Sequence, residues 1–269
     1  PVVLAQQSWR WVLVSVAALA LLLTVLTVWG VPWLSRVAVH AIAPGVDKEL
    51  GQAALATLDK HLTQASSLDA LQQQRVRDAL ARAIAAQPAG SVPAHELLFR
   101  RGRGDRGLGP NAFALPGGTV VMTDSLVELF GADADVLTGV LAHELGHVQQ
   151  RHGMRMVVQA SLIGVLSSVV LGDFSNLLAA APVIVGQASY SRDAEREADA
   201  YCAGFLKAAG VSPAVMIRLF ETLGRSRTKR ANDDRPVAAD DAPSWLGIAI
   251  ASHPGDAQRI EFFRAAAVR

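Results

Sequence analysis

The stretch VLAHELGHVQQRHG, Val140 to Gly153, decides how this chain is read. Its surroundings are apolar and have the look of a buried helix, yet it sets His143, Glu144 and His147 within about one turn, with Gly146 between them. Polar groups in a core are costly unless they are partnered. A glycine inside a helix costs roughly 1 kcal/mol relative to alanine. Gly139, Ala142, Gly146 and Gly153 fall along one stripe, which predicts that a second segment packs close against this helix.

Residues four apart on a helix point the same way, so the imidazoles of His143 and His147 can reach one ion. Glu144 is turned by about 100° from His143. It can sit beside a metal without binding it and take a proton from a water. This is the H-E-x-x-H arrangement of zinc hydrolases. The competing reading is two core histidines bonded to nearby carbonyls. A catalytic zinc takes three protein ligands and leaves a position for water.

The third ligand is sought in SRDAEREADAYCAGFL, Ser191 to Leu206. On a helical wheel Glu195, Ala198, Asp199, Cys202 and Leu206 share one face, and Asp193, Glu197, Gly204 and Lys207 the opposite one. The wheel thus puts Glu195 and Asp199 on the apolar face and Glu197 in solvent. Glu195 would bind the zinc, and Asp199 would accept the N–H of a ligand histidine, His143 first, fixing its tautomer. The alternative pairs both carboxylates with Arg192 or Arg196 on a helix surface. His152 falls on the side away from His143 and reads as a helix-end histidine beside a negative dipole.

Composition narrows the classes. Of 269 residues, 51% are hydrophobic and the mean hydropathy is +0.28, which directs attention to a membrane segment. The net charge of +1 gives no nucleic-acid footprint. Cys202 is the single cysteine, so an intramolecular disulfide and a cysteine-based zinc site are excluded.

Val12 to Val28 carries no charge, and Trp9 and Trp11 precede it while Trp29 and Trp33 follow. The two tryptophan pairs are roughly 20 residues, or about 30 Å of helix, apart, which matches the hydrocarbon thickness of a bilayer. Residues 1–36 are therefore read as an N-terminal tail and transmembrane anchor in contact with lipid. The rival is a cleaved signal peptide ending near Ala41-Ile42-Ala43, but the apolar run is long for one and distant from that site. Arg10 on one side, and Arg36 and Lys48 on the other, do not decide the orientation.

Residues 44–269 form the second domain. Helical periodicity covers Val46 to Leu62 and the segment after Ser66 or Ser67, the expected N-cap. His95 to Arg100 reads as a strand. Gly102, Gly104 and Gly107 make a lone G-x-G-x-x-G followed by Pro110 instead of a helix, hence a surface turn. NAFALPGGTVVMTD, Asn111 to Asp124, reads as a β-hairpin, and Asp133 or Asp135 caps the helix of the opening stretch. Two apolar runs follow, Val157 to Gly172 and Leu177 to Gly186, each too short for a confident span. Helices are expected at Ser191–Ala209, from Pro213 to about Gly224, and from Pro254 on, with a mobile loop at 224–244. The fold class is mainly α with a small β-sheet, α+β.

HELGH, then SRDAEREAD, then SHPGDAQR resembles the M48 family of zinc metallopeptidases, with NAFALPGG upstream in keeping. The resemblance implies a gluzincin: a helical body, a small sheet, one zinc per chain between two helices, and hydrolysis of peptide bonds in polypeptide substrates. It supports His143, His147 and Glu195 as ligands and Glu144 as general base. It also implies that His253 and Arg259 lie near the reaction, donating to the oxyanion or holding substrate backbone. A single convincing membrane helix places the chain nearest to single-anchor bacterial members, with the peptidase domain in the periplasm, at the inner membrane. A sheet edge beside the zinc would pair with an extended peptide. Asn111, Ala112, Phe113 and Ala114 are the candidate edge, unless both sides of that strand are already paired.

Overall fold

A computed structural model describes residues 9–103, 108–131, 133–171, 190–233 and 257–268. The chain divides into two compact units, 1–42 with 155–181, and 43–154 with 182–269.

In the first unit α1, Trp9–Ala41, is a continuous helix of 33 residues with one π turn at Leu26–Gly30. It is long and apolar enough to cross a membrane. Trp9, Trp11, Trp29 and Trp33 are all exposed, and so are most of the leucines and valines between them. Val31, Ser35 and Val39, one turn apart, are buried. Ser35 accepts a hydrogen bond of 3.0 Å from Gln159, on a helix that runs from His152 to Leu171.

The second unit is built on a four-stranded sheet of order β1-β2-β4-β3. Its strands are β1 (Thr63–Ala65), β2 (Glu96–Gly102), β3 (Ala112–Ala114) and β4 (Thr119–Thr123). β1 pairs antiparallel with β2, β2 parallel with β4, and β4 antiparallel with β3, with Phe113 opposite Val121. The expected hairpin is therefore present. Its turn passes through Gly117 and Gly118, at φ 79° and 98°, a region open to glycine. A Cβ on Gly118 would meet the carbonyl oxygen of Ala94 at 2.3 Å, so the turn also lies flush on its neighbour.

Helices α2 (Pro44–His61), α3 (Ala70–Ala85), α4 (Asp124–Phe130) and α5 (Ala134–Gln149) surround the sheet. α6 (His152–Leu171) begins here and continues into the first unit. α7 (Arg192–Ala208), α8 (Val215–Asp233) and α9 (Ala257–Val268) follow. Asp133 caps α5, accepting from Val136 N–H, and Ser191 caps α7. The cap of α3 differs from the expectation. It is Asp69, in a reciprocal capping box with Gln72. Ser66 and Ser67 instead give three hydrogen bonds to buried Asp124, tying the loop before α3 to the start of α4. A carboxylate that competes for the serines from 57 residues away is invisible to a local pattern.

α8 also differs, running to Asp233 and so through the first ten residues of the segment read as the mobile loop 224–244. Its remainder lies outside the described residues, as do all of Leu177 to Gly186 and, in G-x-G-x-x-G, Gly104 and Gly107.

α5 is the central helix. Every residue from Val136 to His147 is buried. It packs on β3 and β4, on α3, and most extensively on α7. Leu137, Leu141, Leu145, Met122, Leu126, Leu206, Met216 and Phe263 form the inner core.

Candidate metal centre

The site lies where α5 and α7 run side by side. Small residues permit the approach. A Cβ on Gly146 would stand 3.0 Å from the Cα and the carbonyl oxygen of Ala198, and one on Gly139 would press on Met216 and Val215. The sulfur of Cys202 donates to the Gly139 carbonyl at 3.3 Å. Gly153, read as part of the same stripe, belongs to α6 and faces Pro116 instead.

This packing brings Glu195 against the two histidines. His143 Nε2 and His147 Nε2 are 3.1 Å apart. Glu195 lies 3.4 Å from the first through Oε2 and 3.6 Å from the second through Oε1. All three residues are buried, at 3%, 1% and 5% exposure. Ligand atoms about 2.0–2.2 Å from a tetrahedral zinc sit roughly 3.3–3.6 Å from one another. The two Glu195 spacings match that edge length and the 3.1 Å between the imidazoles is slightly shorter; two imidazoles with one carboxylate are the donor set of a hydrolytic zinc. The group therefore fits such an ion.

Asp199, one turn beyond Glu195, lies 3.0 Å from His143 Nδ1. It also takes Nε and Nη2 of Arg259, both at 2.7 Å. Arg259 Nη1 is 2.9 Å from Glu195 Oε2, and its guanidinium rests 4.7 Å over the ring of Phe220. Arg259 is 6% exposed. The resemblance implied a group near the reaction, donating to the oxyanion or holding substrate backbone. The structure turns it to the two carboxylates of α7, whose charges it compensates. Burial opposes the charge on His143, but Asp199 and Glu195 outweigh it and hold the pKa up to about 9. Burial would raise that of Asp199, but His143 and Arg259 more than offset it, so it is lowered.

Glu144 is 1% exposed and borders a cleft with His143, Asn111 and Ala112. Leu126, Val140, Met216, Leu219 and Leu223 make that cleft apolar. Among the described residues, β3 is an edge of the sheet. Asn111 accepts from Thr123 N–H and Leu115 donates to Thr119, so alternate residues face β4. By that alternation Ala112 and Ala114 turn their backbone groups outward. Phe113, between them, faces β4. Ala112 and Ala114 are nevertheless 4% and 6% exposed, and the Tyr190 hydroxyl donates to Ala114 O at 3.3 Å. Tyr190 also stacks on His147, with centroids 3.9 Å apart. Burial, then the charges of Glu144 and Glu195, raise its pKa.

His253 lies outside the described residues. Two residues at the site escaped the wheel. His152 is buried and its Nδ1 is 2.9 Å from His147 Nδ1. Its Nε2 is 3.0 Å from Glu197 Oε2, so Glu197 is not the freely solvated carboxylate that the wheel made it. The available signal was the Gln149-Gln150-Arg151 run, where the helix ends and a new axis begins.

The sequence profile described as Peptidase family M48 matches residues 70–267. The chain belongs to peptidase family M48. This M48 chain is 35% identical over 119 residues to the mitochondrial metalloendopeptidase OMA1 of Arabidopsis thaliana, covering 43% of the chain and 24% of that protein. It is 29% identical over 142 residues to the metalloprotease LoiP of Escherichia coli (strain K12), covering 49% and 56%. It is 32% identical over 128 residues to the beta-barrel assembly-enhancing protease of Yersinia pestis, covering 42% and 26%. The M48 chain thus spans between about a quarter and just over half the length of these relatives.

Proposed function

We propose that the chain is a membrane-anchored zinc endopeptidase that cuts polypeptides in extended form, serving quality control of the bacterial envelope. The observation that carries this reading is the convergence of His143, His147 and Glu195 at spacings of 3.1–3.6 Å, with Glu144 on the cleft that also borders the sheet edge. A zinc ion held by His143, His147 and Glu195 would supply Lewis acidity toward a scissile carbonyl and a neighbouring water. Glu144 takes that water's proton and delivers it to the leaving amine. The outward N–H and C=O of Ala112 hold the substrate backbone as an added strand, and the Ala114 carbonyl becomes available once Tyr190 releases it. Backbone pairing gives breadth, and the apolar cleft favours a hydrophobic side chain beside the cut. His253 stands in this proposal as an oxyanion donor, from the resemblance alone. Arg259 is a positioning residue for Glu195 and Asp199.

α1 supplies the lipid contact. The name of the beta-barrel assembly-enhancing protease supports an envelope role; the same proposal puts the peptidase domain in the periplasm and the anchor in the inner membrane.

Zinc content and casein cleavage are measured for the wild type and Glu144→Gln. About one zinc in both, with cleavage confined to wild type, is expected. Equal cleavage by both overturns the reading.

A latent form of the same enzyme is favoured by one contact. Tyr190 covers His147 and occupies the Ala114 carbonyl together. If that contact shuts the cleft, Tyr190→Phe cleaves casein faster than wild type. A slower variant argues for an open site in which the hydroxyl assists.

A further inference from the structure

Each candidate ligand histidine has a second ring nitrogen, and the two are held in different ways. Nδ1 of His143 meets Asp199 directly. Nδ1 of His147 meets another imidazole, His152, at 2.9 Å, and the far nitrogen of His152 meets Glu197 at 3.0 Å. We propose that His152 and Glu197 are positioning residues that hold His147 in its metal-binding tautomer. This rests on the reading of His143, His147 and Glu195 as a zinc site.

Two ring nitrogens at 2.9 Å share one proton, so one donates and the other accepts. His147 must keep the lone pair on Nε2 for the metal, which puts its proton on Nδ1. His147 Nδ1–H then donates to His152 Nδ1. His152 carries its own proton on Nε2 and donates it to the Glu197 carboxylate. One choice at the metal therefore assigns both rings, and the line ends on a carboxylate that is 32% exposed. His147 and His152 are each 1% exposed, so no bulk water substitutes for the partner.

The backbone is shaped to make this contact. On an unbroken helix His152 would lie about 140° around from His147 and point elsewhere. α5 instead ends at Gln149, and Arg151 adopts φ 51°, unusual for a residue with a side chain. That reversal starts α6 at His152 and folds its ring back beneath His147. The guanidinium of Arg151 is paired with buried Asp47 of α2, which anchors the turn. Tyr190 stacks on the His147 ring and closes another side of it.

Partners of this kind typically contribute 10–100-fold to metal affinity. The test uses the full chain, with zinc affinity read by competition against a chelator and the ligand field read from the visible spectrum of the cobalt-substituted protein. His152→Leu removes the acceptor. His152→Asn keeps an acceptor close to the position of Nδ1. Glu197→Gln weakens the far end. The expected result is zinc binding about 10–100-fold weaker in His152→Leu, substantial recovery in His152→Asn, a smaller loss in Glu197→Gln, and an altered cobalt spectrum in His152→Leu. Binding within twofold of wild type in His152→Leu overturns the proposal. So does equal weakening in His152→Leu and His152→Asn, since that marks a packing role. If His152→Leu does not fold, His152→Asn and Glu197→Gln decide: wild-type affinity in the first with several-fold loss in the second supports the line, and no loss in the second overturns it. A wild type that binds no zinc refutes the underlying reading instead.

Discussion

Gly146 and Ala198 touch backbone to backbone: a Cβ on the glycine would stand 3.0 Å from both the Cα and the carbonyl oxygen of the alanine. That approach sets α7 close enough to α5 for Glu195 to reach both histidines. Gly146→Leu must push the helices apart. The expected loss is at least 1–3 kcal/mol, as for overpacked cores, with weakened zinc binding although no ligand is altered. Thermal denaturation and zinc content check it, and normal values in both would show the contact to be idle. Gly204, on the same α7, has nothing within 4 Å of its added Cβ. Gly204→Ala should stabilise by about 0.5–1 kcal/mol.

Arg259 compensates two buried carboxylates at once. Arg259→Met leaves them without that charge, at an expected cost of about 3–5 kcal/mol. Arg259→Lys should fall between, because an ammonium cannot repeat the paired contact with Asp199. Urea unfolding of the metal-free protein is the measurement, since a bound ion would mask part of the effect. Unchanged stability in Arg259→Met would refute the compensation.

Asp59 and Arg100 join the end of α2 to β2 through contacts of 2.8 and 3.0 Å. The Arg100 hydrogen bond lowers the pKa of Asp59 from its ordinary 3.8, against the opposing effect of burial. A lowered folded-state pKa contributes stability above pH 3.8 that is lost as pH falls through the folded value. The pair is partly solvated, so Asp59→Asn should cost under about 1 kcal/mol at neutral pH. The difference from wild type should shrink as the pH is taken down past 3.8. A constant difference across that range would rule the ion pair out as its source.

Leu223 stands half-buried at the cleft that Glu144 borders. On the proposed function, Leu223→Glu makes the entry polar. Burial of one large apolar side chain provides about 1.5–3 kcal/mol, so kcat/KM for peptides with leucine or phenylalanine beside the cut should fall about tenfold or more. Leu223 also packs against the core, so some stability is lost as well, less than the roughly 1.5–3 kcal/mol of a fully buried side chain. Equal loss for peptides with alanine there would show that the cleft does not select.

The hairpin, the apolar N-terminal helix and the carboxylate face of α7 were legible because periods of two and 3.6 residues and glycine turns are local properties. His143, Glu144 and His147 were legible for the same reason, all within one turn of one helix. The cap of α3 was misread because Asp124 draws Ser66 and Ser67 across the fold. The partners of Arg259 were not legible, because nothing along the chain shows that Asp199 and Glu195 meet its guanidinium from 60 and 64 residues away.

The opening stretch, by spacing alone, determines that two imidazoles share a face and that a carboxylate stands beside them. It does not determine what lies behind each ring. A left-handed turn at Arg151 carries His152 back under His147, and a glycine without a side chain lets α7 bring Glu195 within reach. Helical periodicity fixes which side chains leave a helix together. Which partners meet them depends on where chain breaks and close approaches direct the next segment, and those are set by packing across the whole second unit.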